Sequence, residues 1–393
     1  MANIFGINLN DLPSNAVTKK ISEFLSGQTQ HYIVTPNPEI ILAAHQDEEL
    51  FYVLNKASLA LADGFGLKIA GFLFGYNLPR LTGADLTVDL LKLASKEGTK
   101  TIILNWEKGL SSQEEISSAL TIKFPGLDFL VLNIGRDKFL RPETVAKIKE
   151  FSPTLLFNNL GFPYQEKLLH HNLKDLPSVK VALAVGGSFD FITGRAQRAP
   201  KVWRNLGLEW LWRLIKHPQR AGRIYNATVV FLKKILASRF INPFLYRDNV
   251  VGLLYKKESD RFKILLVERE GDSNHWQLPQ GGTDGEDIET AGRRELREEV
   301  GTDKFATRAS FKNLYRYDFG PDTGYKKYKF DYKGQRQSLY IAEFSGQDSD
   351  IKINFWDHSA WKWVDAEQLI AEVHPVRRDV TKLFLEKFES LKL

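Results

Sequence analysis

Short apolar runs alternate with segments of helical periodicity from residue 1 to about residue 195, and this alternation restricts the fold more than any other feature. Strands that alternate with helices form a mostly parallel sheet with helices on its faces. Strands are predicted at 31–34, 57–62, 101–104, 127–132, 154–157 and 179–185, and helices at 38–54, 85–95 and 112–124. The first part of the chain is therefore predicted to be an α/β domain.

Polar residues follow several of these predicted strands. Thr35 and Asn37 come after the first strand, Asp63 after the second, and Gly186 after the last. Ligands of parallel α/β sheets bind at the carboxyl ends of the strands, so these residues are expected near one pocket. Asp63 is a candidate general base there, although an Asp-Gly pair at a strand end is usually a turn. Thr35 and Asn37 are candidates for substrate contacts or for capping the helix that begins near Pro38.

Residues 195–240 combine positive charge with aromatic side chains. Between Arg195 and Arg223 there are eight basic residues and one acidic residue, Glu209. The segment is predicted to be helical and to face an anionic partner, for which an anionic membrane surface is a candidate. The alternative is that its aromatic residues pack onto the first domain while the arginines are solvated.

A change in pattern near residue 245 divides the chain. Pro243 interrupts the helical pattern, and β-rich sequence begins at Val250. Strands are predicted at 251–255, 263–267, 325–330, 337–344 and 360–364, and a closing helix at 376–390. A chain of 393 residues is long enough for two domains, which we place at 1–240 and 249–393 with a linker at 241–248.

The chain contains no cysteine, which excludes disulfides, thiolate metal sites and thiol nucleophiles. Any bound metal therefore has oxygen or histidine ligands. The first residues lack the pattern of a secretion signal, and no apolar run approaches the ~20 residues that span a bilayer. We therefore expect a cytoplasmic protein.

Three glutamates in the second domain share one face of a predicted helix. Glu295, Glu298 and Glu299 stand at positions i, i+3 and i+4, between a glycine-rich loop and Gly301. Their mutual repulsion is unfavourable unless a cation offsets it, and Mg²⁺ prefers such oxygen ligands. The predicted reaction is metal-assisted hydrolysis of a P–O–P bond, with Glu298 and Glu299 as catalytic residues. The alternative is a solvated helix in which neighbouring arginines, among them Arg294, pair with the glutamates.

The same segment resembles the Nudix hydrolase box from Glu286 through Gly301, with a leading loop one residue shorter and Thr302 in place of an apolar residue. The resemblance implies an α/β/α sandwich with a mixed sheet, and Mg²⁺ as cofactor with Mn²⁺ as the second choice. Trp276-Gln-Leu-Pro-Gln-Gly-Gly and Tyr332-Lys-Gly-Gln-Arg-Gln resemble enzymes that hydrolyse RNA 5′ ends or dinucleoside polyphosphates. It further implies Asp357 as an additional metal ligand, the alternative being a surface acid.

Several motifs of the first domain resemble the WecG/TagA/CpsF glycosyltransferases, glycosyltransferase family 26, over about residues 1–240. They are Arg80-Leu-Thr-Gly-Ala-Asp-Leu, Gly161-Phe-Pro-Tyr-Gln-Glu-Lys and Val185-Gly-Gly-Ser-Phe-Asp-Phe-Ile-Thr-Gly-Arg. The resemblance implies a Rossmann-like domain that inverts configuration while moving an N-acetylhexosamine, N-acetylmannosamine or a related sugar, from a UDP donor to a polyprenyl-diphosphate-linked acceptor. The chain departs from the family at Asn105-Trp-Glu-Lys-Gly109, where related sequences have a glycine-rich loop.

The resemblance also assigns roles to individual residues. Asp63 is the implied catalytic base, and no metal is expected for this transfer. The residues implied to line the substrate pocket are Thr35, Asn37, Arg80, Asp85 and Gln165. The residues implied to contact diphosphate groups or the lipid surface are Arg195, Arg198, Arg213, Arg220 and Arg223.

Three functions are consistent with the sequence. The first is a bifunctional enzyme of cell-surface polysaccharide synthesis, peripheral on the inner face of the cell membrane, which also hydrolyses a nucleoside diphosphate or polyphosphate derivative. The second is a hydrolase whose first domain only binds nucleotide or docks on a membrane. The third is a peripheral membrane scaffold without either activity. A homo-oligomer and an RNA 5′ end are open alternatives as partners.

Overall fold

The computed structural model describes residues 1–79, 81–216, 218–320 and 331–393, without the side chains of Asn205, Arg213 and Arg220. The chain divides into two compact units, Met1–Leu236 and Ala237–Leu393. Within the described ranges, no helix has the length and apolar character needed to cross a lipid bilayer.

The first unit is built on a parallel sheet, as the alternating pattern predicts. Its strands are β1 (Ala2–Ile4), β2 (Ile7–Leu9), β3 (His31–Val34), β4 (Leu59–Ala60), β5 (Thr101–Trp106), β6 (Phe129–Ile134), β7 (Leu155–Asn159) and β8 (Val181–Ala184). Strands β1 and β2 form a separate antiparallel hairpin. Among the residues described, the main sheet has the order β4-β3-β8-β7-β5-β6 with every neighbouring pair parallel. The strands β5, β7 and β8 are buried almost throughout, because helices cover both faces of such a sheet.

Helices connect these strands and continue beyond the last one. They are α1 (Ser14–Ser26), α2 (Pro38–Ala44), α3 (Glu48–Lys56), α4 (Phe65–Leu73), α5 (Gly83–Glu97), α6 (Gln113–Lys123), α7 (Pro142–Phe151), α8 (Tyr164–Asn172), α9 (Ser188–Thr193), α10 (Lys201–Asn205), α11 (Glu209–Lys216), α12 (Ala221–Tyr225) and α13 (Phe231–Phe240). A core of aliphatic and aromatic side chains from α1, α5, α6 and the strands fills one face of the sheet. The fold class predicted for this unit is confirmed.

Three details of the first unit differ from the sequence prediction. The helix predicted at 38–54 is wrong as one element, because Asp47 caps a new helix by accepting a hydrogen bond from the Leu50 amide at 3.0 Å. The strand predicted at 57–62 is reduced to β4, beyond which the Asp63 amide donates to the Pro36 carbonyl at 2.9 Å. The helical segment predicted from Arg195 begins only at α10, after Pro200.

The second unit is a mixed sheet between helices. Its strands are β9 (Tyr246–Glu258), β10 (Arg261–Arg269), β11 (Trp276–Gln277), β12 (Gln280–Gly282), β13 (Phe305–Asp318), β14 (Gly334–Phe344) and β15 (His358–Asp365). In the described ranges the sheet runs β11-β10-β9-β14-β13, while β12 pairs with β9 and β15 with β10. Only β9 and β14 pair in parallel there, and the other pairs are antiparallel.

Helices cover both faces of this second sheet. They are α14 (Ile288–Val300), α15 (Leu369–Glu372) and α16 (Arg378–Glu389). One apolar cluster joins the sheet to α16, and a second joins it to α14 through Leu296 and Val300. The mixed-sheet sandwich is confirmed. The long strand β13 has no counterpart among the predicted strands, and the strand predicted at 325–330 lies outside the described residues.

Candidate active sites

Four neighbouring strands bring the predicted residues of the first unit to one edge of the sheet. Thr35 follows β3, Asp63 follows β4, Gln165 lies in α8 after β7, and Gly186 follows β8. Since β4, β3, β8 and β7 are adjacent and parallel, their carboxyl ends meet. The Thr35 hydroxyl is buried and donates to the Ala184 carbonyl at 3.2 Å, which ties the end of β3 to the end of β8.

The amino end of α5 closes this edge beside Asp63. The Gly83 amide donates to Asp63 Oδ2 at 3.4 Å. A Cβ atom at Gly83 would lie 2.9 Å from the Thr35 hydroxyl, so this close approach requires glycine. The first amides of a helix favour a negative charge beside them. Gly83, at the start of α5, therefore lies between the Asp63 carboxylate and the Thr35 hydroxyl.

Asp85 forms a two-pronged ion pair with Arg198. Arg198 Nη1 donates to Asp85 Oδ1 at 2.6 Å and Nη2 donates to Oδ2 at 2.8 Å. The Arg198 guanidinium is the main reason that the pKa of Asp85 is lowered to about 2, with the Thr82 hydroxyl contributing. Asp63 adds a weaker attraction that helps to raise the pKa of Arg198. Asp85 and Arg198 thus join the start of α5 to the segment after α9.

Two more of the arginines predicted to contact diphosphate groups, Arg195 and Arg223, also have carboxylate partners. Arg195 pairs with Glu115 in the first turn of α6. Arg223 donates from Nε and Nη2 to the two oxygens of Glu39, at 2.7 and 3.1 Å, in the first turn of α2. These pairs join the basic segment after α9, residues 195–236, which we call the appendage, to the α/β domain. Arg80 lies outside the described residues, and the side chains of Arg213 and Arg220 are likewise not described.

Asn37 and Gln165 make internal hydrogen bonds. Asn37 Oδ1 accepts from the Ile40 amide at 3.0 Å, which is the capping role anticipated as its alternative. Gln165 is buried, and its Oε1 accepts from the Gly186 amide at 2.9 Å. Its Nε2 donates at 2.7 Å to Glu166, which the sequence analysis did not select. Burial raises the pKa of Glu166 to about 7. The only available signal was its position next to Gln165.

The glycine-rich loop and α14 build the second site. Asp287 caps the helix by accepting from the Glu289 and Thr290 amides, and Gly301 ends it in the left-handed conformation. Glu295 and Glu299 are buried against the loop, whereas the Glu298 side chain is 46% exposed. The Gln280 amide donates to Glu299 Oε2 at 2.9 Å. A Cβ atom at Gly281 would lie 1.8 Å from Glu295 Oε2, so glycine is required for the loop to approach the helix.

Arg294 connects the glutamates and the loop. Its Nη1 donates to Glu295 at 2.7 Å and to Glu298 at 3.3 Å, and its Nε donates to Glu286 at 2.9 Å. Burial alone would lower the pKa of Arg294, but the carboxylates of Glu286 and Glu295 outweigh it and raise the pKa. The Arg294 guanidinium therefore offsets the repulsion among the carboxylates of Glu286, Glu295 and Glu298.

The glutamate face provides oxygen ligands of the kind that Mg²⁺ prefers, and two of them are held in place by Arg294 and by the loop. In the part of the chain that the structure describes, no three His, Asp or Glu side chains come close enough together to hold a metal ion. Glu298 and Glu295 both accept hydrogen bonds from Arg294 Nη1. The donor chemistry of Glu295, Glu298 and Glu299 fits Mg²⁺.

Asp357 lies in the loop before β15, where its amide donates to Asn354 Oδ1 at 2.9 Å and its carbonyl accepts from Glu270. The next residue, His358, is buried and places Nε2 3.3 Å from Glu299 Oε2. This histidine is a member of the site that the sequence analysis missed. No motif marks it, because its proximity to Glu299 depends on how β15 pairs with β10.

Two protein families match the chain, and their matches meet near residue 244, close to the division between the two compact units. Residues 2–243 match the model of the glycosyl transferase WecG/TagA/CpsF family, and residues 245–384 match the model of the NUDIX domain. One relative is the N-acetylglucosaminyldiphosphoundecaprenol N-acetyl-beta-D-mannosaminyltransferase of Bacillus subtilis (strain 168), 31% identical over 53% of this chain and 84% of the relative. The protein of that name from Staphylococcus aureus (strain MRSA252) is 30% identical over 61% of this chain and 93% of the relative.

Solved structures that resemble the chain cover about a third of it. The binary complex of a C. elegans Ap4A hydrolase is 19% identical, covers 37% of this chain and 98% of that one, and has a TM-score of 0.29. The structure of the E. coli dihydroneopterin triphosphate pyrophosphohydrolase is 19% identical, and the match covers 36% of this chain and 99% of that one with a TM-score of 0.29. Similarity at this level carries no information about the substrate.

Proposed function

Because the chain belongs to the WecG/TagA/CpsF family of glycosyl transferases, we propose that its first unit moves an N-acetylhexosamine from a UDP-sugar to a polyprenyl-diphosphate-linked acceptor. The names of the relatives support N-acetylmannosamine as the sugar and a diphosphoundecaprenol-linked N-acetylglucosamine as the acceptor. The observation that carries the proposal is Asp63, placed at the carboxyl edge of the sheet beside Thr35 and the amino end of α5.

In the proposed reaction, Asp63 takes the proton from an acceptor hydroxyl as that oxygen attacks the anomeric carbon of the donor sugar. The new C–O bond forms on the face opposite the leaving group, the bond to the UDP oxygen breaks, and configuration inverts. The departing diphosphate carries the developing negative charge. Arginines and helix amides at the same edge of the sheet are the groups that would stabilise it.

For the second unit we propose hydrolysis of a P–O–P bond in a nucleoside diphosphate or polyphosphate derivative, supported by the NUDIX match and the glutamate face. Glu295, Glu298 and Glu299 would hold Mg²⁺, which neutralises phosphate charge and lowers the pKa of water when bound. Glu298, the most exposed of the three, would take a proton from the attacking water. Arg294 and the Gln280 amide keep Glu295 and Glu299 in position. Asp357 is a further candidate ligand.

Two substitutions in the full-length chain test both proposals. Asp63→Asn removes the proton acceptor and is expected to lower sugar transfer by ~10²–10⁴-fold while hydrolysis persists. Glu298→Gln is expected to do the reverse. Transfer is measured with UDP-N-acetylhexosamines and a prenyl-diphosphate-linked N-acetylglucosamine, and hydrolysis with nucleotide polyphosphates and Mg²⁺.

The matched controls make the same type of substitution at a position outside each site. They are Asp128→Asn, at the amino end of β6, and Glu289→Gln, in the first turn of α14, both exposed. If the unaltered protein makes no glycan with any donor, the transferase proposal fails, and a hydrolase with a non-catalytic first unit becomes the better explanation.

We also propose that the protein acts at the cytoplasmic face of a membrane, held by the appendage. Basic residues alternate there with exposed apolar side chains, including Val202, Leu206, Ile215 and Leu232. Such a surface binds anionic lipid through both charge and apolar burial. Sedimentation with phosphatidylglycerol vesicles should pellet the protein, and Ile215→Glu with Leu232→Glu should reduce pelleting about tenfold. Equal pelleting of both proteins would exclude these residues as the anchor.

A further inference from the structure

An arginine with an unusual set of neighbours lies at the carboxyl ends of β5, β6 and β7. The guanidinium carbon of Arg136 is 3.5 Å from the centre of the Trp106 ring, which is the last residue of β5. Arg136 Nε donates to the Leu160 carbonyl at 2.7 Å, just after β7. The Tyr164 ring lies 5.6 Å from the same guanidinium carbon. Three neighbouring strand ends therefore hold this guanidinium from several sides.

Gly161 completes the support. It has a φ of +77°, and a Cβ atom there would lie 3.1 Å from Arg136 Nη2. The backbone thus passes close beneath one edge of the guanidinium. A side chain fixed in this way loses little conformational entropy when a ligand binds, so Arg136 is preorganised.

Among the residues that the structure describes, no carboxylate matches the charge of Arg136. Arg195, Arg198 and Arg223 each pair with an acid, but in the described ranges no Asp or Glu forms an ion pair with Arg136. Partial burial lowers the pKa of Arg136, Tyr164 opposes this effect, and the positive charge of Arg223 lowers the pKa by a smaller amount.

We propose that Arg136, stacked on Trp106 and held by the Leu160 carbonyl, binds a phosphate of a diphosphate group at this edge of the sheet. A planar guanidinium presents paired donors that match phosphate oxygens. The inference rests on the proposed sugar transfer, which has two diphosphates as sources: the nucleoside diphosphate of the donor and the diphosphate of the prenyl-linked acceptor.

The test measures binding to the full-length protein by calorimetry with two probes. One probe is UDP, and the other is N-acetylglucosamine joined through a diphosphate to a short, water-soluble prenyl chain. Arg136→Ala is expected to weaken one of them by about 10- to 100-fold, the usual range for a hydrogen-bonded charge pair. Arg136→Lys should recover less than half of that loss on a logarithmic scale, because lysine lacks the paired donors.

Two further variants separate the contact from folding and net charge. Trp106→Leu removes the stacked support but keeps the arginine, and should weaken the same probe by about 3- to 10-fold. Lys149→Ala removes an exposed charge in the last turn of α7 and should change binding less than about twofold. Thermal unfolding of each variant shows whether the fold persists.

Loss of UDP binding assigns the site to the donor, and loss of the prenyl probe assigns it to the acceptor. Unchanged binding of both probes by Arg136→Ala overturns the inference, as does failure of the unaltered protein to bind either. Sugar transfer is assayed separately. If the protein binds UDP through Arg136 but makes no glycan, the proposed sugar transfer is wrong and the Arg136 phosphate site is supported. If Arg136→Ala transfers sugar fully and binds both probes unchanged, the proposed transfer is supported and the Arg136 site is wrong.

Discussion

The two units bury carboxylates in different surroundings. In the first unit Glu166 is buried next to the neutral amide of Gln165, and burial raises its pKa to about 7. In the second unit Glu295 is buried against the Arg294 guanidinium, whose Nη1 donates to it at 2.7 Å. Positive partners stabilise a charged carboxylate, whereas an amide alone compensates less of the cost of removing charge from water. Both residues are buried glutamates, so the two surroundings differ in the groups that donate hydrogen bonds to the carboxylates.

The strongest test of this comparison is Gly281→Ala in the second unit. A Cβ atom would overlap Glu295 Oε2, so either the loop or the carboxylate must move. We expect hydrolysis to fall ~100-fold or more, because displacement of a site residue by about 1 Å has costs of that order. Sugar transfer should be unchanged, and the measurement is the ratio of the two activities. Gly320→Ala, in open space, is the control, and full hydrolysis by Gly281→Ala would refute the packing argument.

Glu166→Gln tests the first unit through the pH dependence of stability. The folded pKa of about 7 lies above the ordinary value of 4.5. The neutral acid therefore favours the folded state below about pH 4.5, and this contribution is lost as the pH rises through 7. Between pH 5 and pH 9 the unaltered protein should lose on the order of 3 kcal/mol relative to Glu166→Gln.

Thermal unfolding at several pH values checks this expectation. Glu150→Gln, at an exposed position of α7, should show the slope of the unaltered protein. Parallel stability curves for the unaltered protein and Glu166→Gln would mean that Glu166 is charged in the folded state, and the contrast between the units would disappear.

Asp85→Asn should have the smallest effect of the three. The pKa of Asp85, lowered to about 2 by Arg198, makes its charge stabilising above the ordinary value of 3.8, and this contribution is lost as the pH falls toward 2. The side chain is 45% exposed, so we expect about 1 kcal/mol at neutral pH after screening. Hydrogen exchange of α5 amides measures the change. Asp89→Asn on the same helix should leave exchange unaltered, and equal exchange in both variants would show that the Arg198 pair does not hold α5.

Much of the fold and of both candidate sites follows from the sequence. The alternation of apolar runs and helices predicts the parallel sheet, and a parallel sheet gathers Thr35, Asp63 and Gly186 at one edge. The spacing of Glu295, Glu298 and Glu299 places them on one helical face before any tertiary contact forms. These predictions succeed because strand and helix periodicities are local properties of the chain.

The pairing of charges was decided by the tertiary structure. The sequence suggested Arg198 and Arg223 as ligand contacts, yet each forms a fork with an acid distant in the chain, Asp85 and Glu39. Arg136 was not selected, although no carboxylate forms an ion pair with it among the described residues, and His358 was not selected although it lies against Glu299. Electrostatic partners depend on distances of a few ångströms between remote segments, which periodicity does not encode. The sequence determined which chemical groups reach each site, and the packing of strands and helices decided which are neutralised and which remain able to bind.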